Sequence, residues 1–353
     1  MSRTDPGAPR TISQRLDALP FGRKHGKVLT GSGIGWALDA MDVGLISFIL
    51  AALTQQWGIT KAEGGLIASI GFAGMAIGAT LGGVLADRIG RRQVFAITLL
   101  VYGLATGASA LVGGIGLLLV LRFFVGLGLG AELPVASTYV SEFAPARIRG
   151  RLIVILEAFW AVGWTAAAVI GYFVVPASED GWRWAFALGA IPALYALAVR
   201  WGLPASPRWL ASRGRTAEAE AIVASFEAQA PAQVDTPAQT QAQTPEPSPL
   251  PDAPAPVQAP TLARKAGGRV AALWSPEFRK RTISVWLVWF CVNFAYYGAF
   301  IWIPSILVDA GFSLVRSFGF TLIITLAQRP RYAVRAWLTA RRGRRLPLPV
   351  LRM

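Results

Sequence analysis

Long apolar runs separated by short polar stretches dominate this chain. Eight of them approach or exceed the about 20 residues a helix needs to cross about 30 Å of hydrocarbon, at 28–53, 66–86, 94–112, 117–140, 152–175, 184–203, 283–308 and 317–328. The last is the weakest. The pattern predicts an all-α transmembrane bundle, with six spans, a break, and then about two more. Residues 204–280 are too polar to cross, and their stretch 229–260, dominated by Pro, Ala and Gln, predicts a disordered linker. Before it, Thr216 to Ala228 has helical propensity and predicts a short surface helix capped by Thr216 or Ser212. The domains expected are therefore an N-terminal segment 1–27, a six-helix half 28–203, a connection 204–280, a partial second half 281–328 and a basic tail 329–353.

Composition agrees with membrane spans: 54% of the 353 residues are hydrophobic and 15% charged, and the charges are excluded from the runs. A net charge of +15 would suit a nucleic-acid partner, but its positions have a better explanation. Arg15, Arg23, Lys24 and Lys27 precede span one; Arg88, Arg91 and Arg92 follow span two; Arg147, Arg149 and Arg151 follow span four; Arg208, Arg213 and Arg215 follow span six. The opposite loops, 54–63 and 176–183, carry few basic residues. This alternation excludes nucleic acid as the partner in favour of the bilayer, and it places the N-terminus and every even-to-odd loop in the cytoplasm. The first apolar run is too long for a cleavable signal, so a multi-pass protein of the cell membrane is expected. Cys291 is the only cysteine and His25 the only histidine, which excludes an intrachain disulfide and argues against a His-based metal site, a cofactor or an enzyme.

Six spans followed by a long connection suggest two six-helix halves, and a faint repeat exists: Gly90-Arg91-Arg92 after span two recurs as Gly343-Arg344-Arg345, with Arg88 falling on Arg341. Elsewhere the repeat decays, Gly83 falling on Ala336 and Asp87 on Ala340.

Span two ends in Gly83-Val84-Leu85-Ala86-Asp87-Arg88-Ile89-Gly90-Arg91-Arg92, where the two glycines permit close helix approach and a tight turn, and one acid sits among three arginines. A plain basic anchor explains the arginines but not the spacing of Gly and Asp. The segment resembles the signature loop of the major facilitator superfamily, whose Asp and Arg residues form a latch that breaks and reforms as the two halves rock. Span four holds Arg122 and then Gly126, Gly128 and Gly130 at every second position. Burying that guanidinium costs about 2.5–3.5 kcal/mol, so it faces a partner or cavity, or else snorkels to the interface. It is similar to the superfamily arginine linked to proton movement. The segments Ser141-Glu142-Phe143-Ala144-Pro145-Ala146-Arg147-Ile148-Arg149-Gly150-Arg151 and Leu203-Pro204-Ala205-Ser206-Pro207-Arg208-Trp209-Leu210 resemble sugar-porter signatures, the second departing at Ala205, where sugar porters carry Glu. The gating set this implies is Gly83, Asp87, Arg88, Gly90, Arg91, Arg92, Glu142 and Arg149.

Span one holds Asp39 and Asp42 three residues apart, on one helical face near the bilayer midplane. Burial there favours the neutral acid and a nearby Arg122 favours the anion, so such a group can alternate between the two. A fixed ion pair that only orients helices is the bland alternative. The resemblance makes Asp42 the proton site, with Arg122 and Asp39 beside it. Within the superfamily, Gly126 to Val135 with Ala131-Glu132-Leu133-Pro134, and Asn293-Phe294-Ala295-Tyr296-Tyr297-Gly298, look more like the niacin and aromatic-acid proton symporters than hexose carriers. Glu157, Trp160 and Trp164 recur at helical spacing on span five. The resemblance implies solute contacts at Glu157, Trp164, Asn293, Tyr296 and Tyr297, although packing and interface belts also use such aromatics.

Arg329, Arg331 and Arg335 interrupt span eight where related carriers have Ile, Gly and Ala. Either the span ends at Gln328 and the tail is cytoplasmic, or, as the stronger expectation, the tail reflects truncation or a frame change. The function expected is proton-coupled symport of a small organic solute, an aromatic acid such as nicotinate; the alternatives are a sugar uptake carrier and a truncated, inactive or regulatory membrane subunit.

Overall fold

The computed structural model describes residues 11–229 and 274–327, and among them every regular element is helical. In chain order these are α1 (Ile12–Ala18), α2 (Arg23–Trp57), α3 (Lys61–Ile89), α4 (Arg91–Ser109), α5 (Ile115–Phe143), α6 (Arg149–Phe173), α7 (Gly181–Leu188), α8 (Ile191–Gly202), α9 (Pro207–Ser212), α10 (Thr216–Glu227), α11 (Arg279–Asp309) and α12 (Leu314–Ala327). The all-α expectation holds, and of the eight expected spans six, carried by α2, α3, α5, α6, the α7–α8 pair and α11, are long and apolar enough to cross a membrane, while α4 on span three is not among them and α12 on span eight is a shorter apolar helix. The tail 329–353, the repeat at Gly343-Arg344-Arg345 and all of the linker 229–260 except Gln229 lie outside the described residues.

Contacts divide the chain into two units, residues 1–231 with 300–353, and residues 232–299. In the second, the described residues carry much of α11, whose Trp286, Trp289, Phe290 and Phe294 are exposed, the last two with stacked rings.

In the first unit the helices associate through small residues. Lipid tails are as apolar as leucine, so spans are held by close van der Waals packing, which glycine permits. Along α3 and α5 the approach is backbone to backbone: a Cβ on Gly126 would meet the Gly71 backbone, and one on Gly74 the backbone of Phe123 and Leu127. The α2–α6 seam works the same way, since a Cβ on Gly163 would strike the Ala37 carbonyl. At α4 and α8, a Cβ on Gly103 would strike Ala193. Helix α12 lays its buried Ser317, Phe318, Thr321 and Thr325 face inward, with Phe318 edge-on to Phe48 of α2 at 5.0 Å.

Four details differ from the sequence reading. The helix of span one begins at Arg23, five residues early, and is preceded by α1, started by a capping box in which Gln14 N donates to Thr11 Oγ1 (3.3 Å) and Thr11 N donates to Gln14 Oε1 (2.8 Å). Span 184–203 is broken around Gly189 and Ala190, because Pro192 at the start of α8 has no N–H to continue the ladder. Helix α10 begins at Thr216 as expected, but neither Thr216 nor Ser212 caps it. Arg215 occupies the cap position and forks onto Glu218 at 2.6 and 2.7 Å, while the Ser212 hydroxyl donates to Trp209 O. The close approach expected at Gly83 belongs to its neighbour: a Cβ on Gly82 would strike Ala131, whereas one on Gly83 meets nothing within 4 Å.

Candidate functional site

Asp42 and Arg122 meet in the interior, Asp42 on α2 and Arg122 on α5. Their side chains are 1% and 6% exposed, and Arg122 Nη1 lies 3.4 Å from Asp42 Oδ2. The other carboxylate oxygen accepts from Thr106 Oγ1 of α4 at 2.5 Å. The arginine therefore turns inward to a partner instead of snorkelling, and a charge that is costly in hydrocarbon is offset by an opposite charge within reach. A small cleft beside the pair is lined by Val43, Ile46, Ala68, Phe72, Arg122 and Ile301 among others. Gly71 lies beside the guanidinium, where a Cβ would stand 3.9 Å from Arg122 Nη2, an ordinary van der Waals contact. Thr106 was missed in the sequence because an isolated threonine on an apolar helix carries no spacing signal.

Asp39 shares the face of α2 with Asp42 but keeps different company. Its neighbours are Glu132 of α5 and Tyr102 of α4, and all three are buried: Asp39 is 2% exposed, Glu132 and Tyr102 are 0%. Both oxygens of Asp39, both of Glu132 and the Tyr102 hydroxyl crowd together without a hydrogen bond of good geometry. Glu132 was visible in the sequence only as part of its motif.

Of the residues expected to touch solute, Trp164 is buried (3% exposed) against Gly44, with its ring edge-on to Phe300 at 5.7 Å. Glu157 is exposed on α6 and does not line the cleft beside Arg122. On α11, Asn293 Nδ2 donates to Trp289 O at 2.8 Å, and the Tyr296 and Tyr297 rings meet edge to face at 5.4 Å.

The gating set gathers at the end of the bundle where α3 turns into α4. Gly90, at φ 98°, makes the turn, a region of backbone space open mainly to glycine, with the Trp209 ring against it. Arg91 bridges two acids, Asp87 at 2.9 Å and Glu142 of α5 at 3.0 Å. Arg92 donates to Leu203 O at 2.9 Å, and Trp209 Nε1 and Arg213 Nη2 donate to Asp87 O at 3.0 and 2.9 Å. The Arg88 side chain is exposed. Arg149 is not on this chain of charges. It pairs with Asp17 of α1 at 2.8 Å, an acid that also holds Arg208 at 3.1 Å. Nearby, Arg15 forks onto Glu227 at 2.8 and 2.6 Å, and that hydrogen bond holds the Glu227 carboxyl below its ordinary range. Neither Asp17 nor Glu227 was legible in the sequence, because their partners are 132 and 212 residues away.

A buried acid–base pair, glycine seams and a charge network at the α3–α4 turn sit on a bundle of long apolar helices, and the similarity to known proteins makes this bundle a membrane transporter of the major facilitator class. The family described as "Sugar (and other) transporter" matches residues 29–348, and the chain belongs to it. The niacin transporter NiaP of Acinetobacter baylyi is 45% identical over 337 residues, covering 96% of this chain and 72% of that protein. The putative niacin/nicotinamide transporter NiaP of Bacillus subtilis is 42% identical over 344 residues, covering 98% and 71%. Among solved structures, the partially occluded inward-open xylose transporter XylE of Escherichia coli superposes with a TM-score of 0.67 over 91% of this chain and 74% of that one, at 21% identity. The proton:xylose symporter XylE bound to a bromodeoxyglucose covers 58% of this chain and 50% of that one, with a TM-score of 0.54 and 26% identity. These relatives are named as transporters, which bears out the expectation that the chain is not an enzyme. A small-molecule solute and a multi-pass membrane setting follow from the family.

Proposed function

We propose that the chain carries nicotinate or a closely similar aromatic acid across the cell membrane together with protons, with its N-terminus in the cytoplasm. The solute class is supported by the two NiaP proteins, named for niacin and niacin/nicotinamide transport. Proton coupling is supported by the pair at 3.4 Å between Asp42 and Arg122, the one observation that carries the reading. A buried carboxylate held by a single cation and a hydroxyl can exchange the cation for a proton. Protonated, Asp42 releases Arg122 to attract the solute's carboxylate; ionised, it takes Arg122 back. Alternating exposure of such a midplane site is how secondary carriers couple two fluxes. The latch Asp87–Arg91–Glu142 opens and closes with that motion. Residues 28–203 are assigned to one half of the carrier and 281–328 to part of the other. Glu157, Trp164, Asn293, Tyr296 and Tyr297 are assigned to solute contact, each to be tested by single substitution.

The test is uptake of labelled nicotinate by the full chain in proteoliposomes. An imposed inward proton gradient should drive accumulation, and Asp42→Asn should abolish accumulation while leaving solute exchange. Accumulation that ignores the gradient, or survives Asp42→Asn undiminished, would refute the coupling; accumulation of xylose instead of nicotinate would refute the solute.

A further inference from the structure

We propose that Asp39 and Glu132 form a second proton-carrying site that holds one proton between its two carboxyls, distinct from the Asp42–Arg122 pair. This rests on the proton coupling proposed above and deepens it. Three helices build the site: Asp39 on α2, Tyr102 on α4 and Glu132 on α5. All three side chains are buried, Asp39 lies beside both Glu132 and Tyr102, and among the described residues the four carboxyl oxygens and the hydroxyl have no well-formed hydrogen bond. The fully buried Tyr102 hydroxyl, directed at Asp39, is the observation beyond the acids themselves.

The groups that face this cluster are few. From α2 comes Asp42, from α4 Tyr102, and from α8 Tyr195, whose hydroxyl donates to Gly31 O at 2.7 Å. On α5, Arg122 is turned to Asp42, its Nη1 3.4 Å from Asp42 Oδ2. Among the described residues no cation pairs with Asp39 or Glu132, and two adjacent carboxylates without one cannot both stay ionised away from water. One proton removes the repulsion and supplies a donor between the two carboxyls: the O–H of one acid donates to the other carboxylate, and Tyr102 donates to the pair. The step balances simply, with a proton from water forming the O–H bond and the same bond breaking when it leaves. Asp39 lies less than one helical turn from Asp42, so both protonation sites ride on the same segment of α2.

The first measurement is the infrared spectrum of the full chain in lipid nanodiscs at neutral pH, comparing light and heavy water. A protonated-carboxyl stretch is expected in the parent protein, lost in Glu132→Gln and retained in Asp42→Asn. A parent spectrum without that band, or a band untouched by both Glu132→Gln and Asp39→Asn, overturns the proposal. Should those variants fail to fold, Tyr102→Phe decides: the band must change frequency, and an unmoved band overturns it. The second measurement is the proton count per solute in proteoliposomes, expected to fall by one in Glu132→Gln; an unchanged count overturns the carrying role. If Asp42→Asn accumulates solute normally, the assignment of Asp42 fails, while the infrared result still judges the Asp39–Glu132 pair by itself.

Discussion

Replacing Asp42 by Asn leaves Arg122 with no opposite charge at a position where it is almost wholly enclosed. At 3.4 Å, and with an effective dielectric of about 20, the gross attraction lost is about 5 kcal/mol. Desolvation of both ions already offsets part of that attraction in the parent, so the measurable cost of breaking the pair is about 3–5 kcal/mol. Asn keeps an oxygen to accept from Thr106, so that hydrogen bond should survive. Removing the stranded cation as well should recover stability: Asp42→Asn/Arg122→Gln should be at least about 1 kcal/mol more stable than the sum of its single variants, a coupling typical of residues in direct contact. The assay is reversible unfolding of purified protein in mixed micelles for the parent, both single variants and the double variant. Additive costs would show that the two side chains do not sense one another, and the central ion pair would be refuted.

The seam of α3 and α5 makes a second prediction. Gly126→Ala drives a methyl group onto the Gly71 carbonyl oxygen, a backbone atom that cannot swing aside, so the two helices must part, at about 1–3 kcal/mol or more, while Gly83→Ala meets nothing within 4 Å and should be silent. Equal melting shifts for the two would contradict the backbone-to-backbone seam. At the turn between α3 and α4, Gly90→Ala forces a side chain into a φ of 98° against the Trp209 ring. A loss of about 1–3 kcal/mol in the same unfolding assay is expected, and Trp209→Ala should relieve only the steric part. The Arg15–Glu227 fork should be a weak, acid-sensitive clasp. Because the Glu227 carboxyl is held below its ordinary value of 4.5, its contribution is complete above that value and is lost as pH falls through the lowered one. With Glu227 about a third exposed, the clasp is worth under about 1 kcal/mol. Carboxyl NMR titration should show Glu227 moving up in Arg15→Ala, and an unmoved titration would remove the clasp.

The spans were legible because hydrocarbon thickness and the cost of charge impose a length and an exclusion rule on consecutive residues. So was the turn at Gly90, since a tight turn at positive φ favours glycine. The acid–base content of the interior was legible too: Asp39, Asp42 and Arg122 stand out because ionisable groups are rare in apolar runs. What a linear pattern could not assign was the pairing. Asp39 and Asp42 sit on one helical face, yet α4 and α5 bring Tyr102 and Glu132 to the first and Thr106 and Arg122 to the second. The shift of close packing from Gly83 to Gly82 and the binding of Arg149 by Asp17 had the same origin. Each depends on the rotation and depth at which one helix meets another, and that is decided by side-chain volume and glycine seams across residues far apart in the chain.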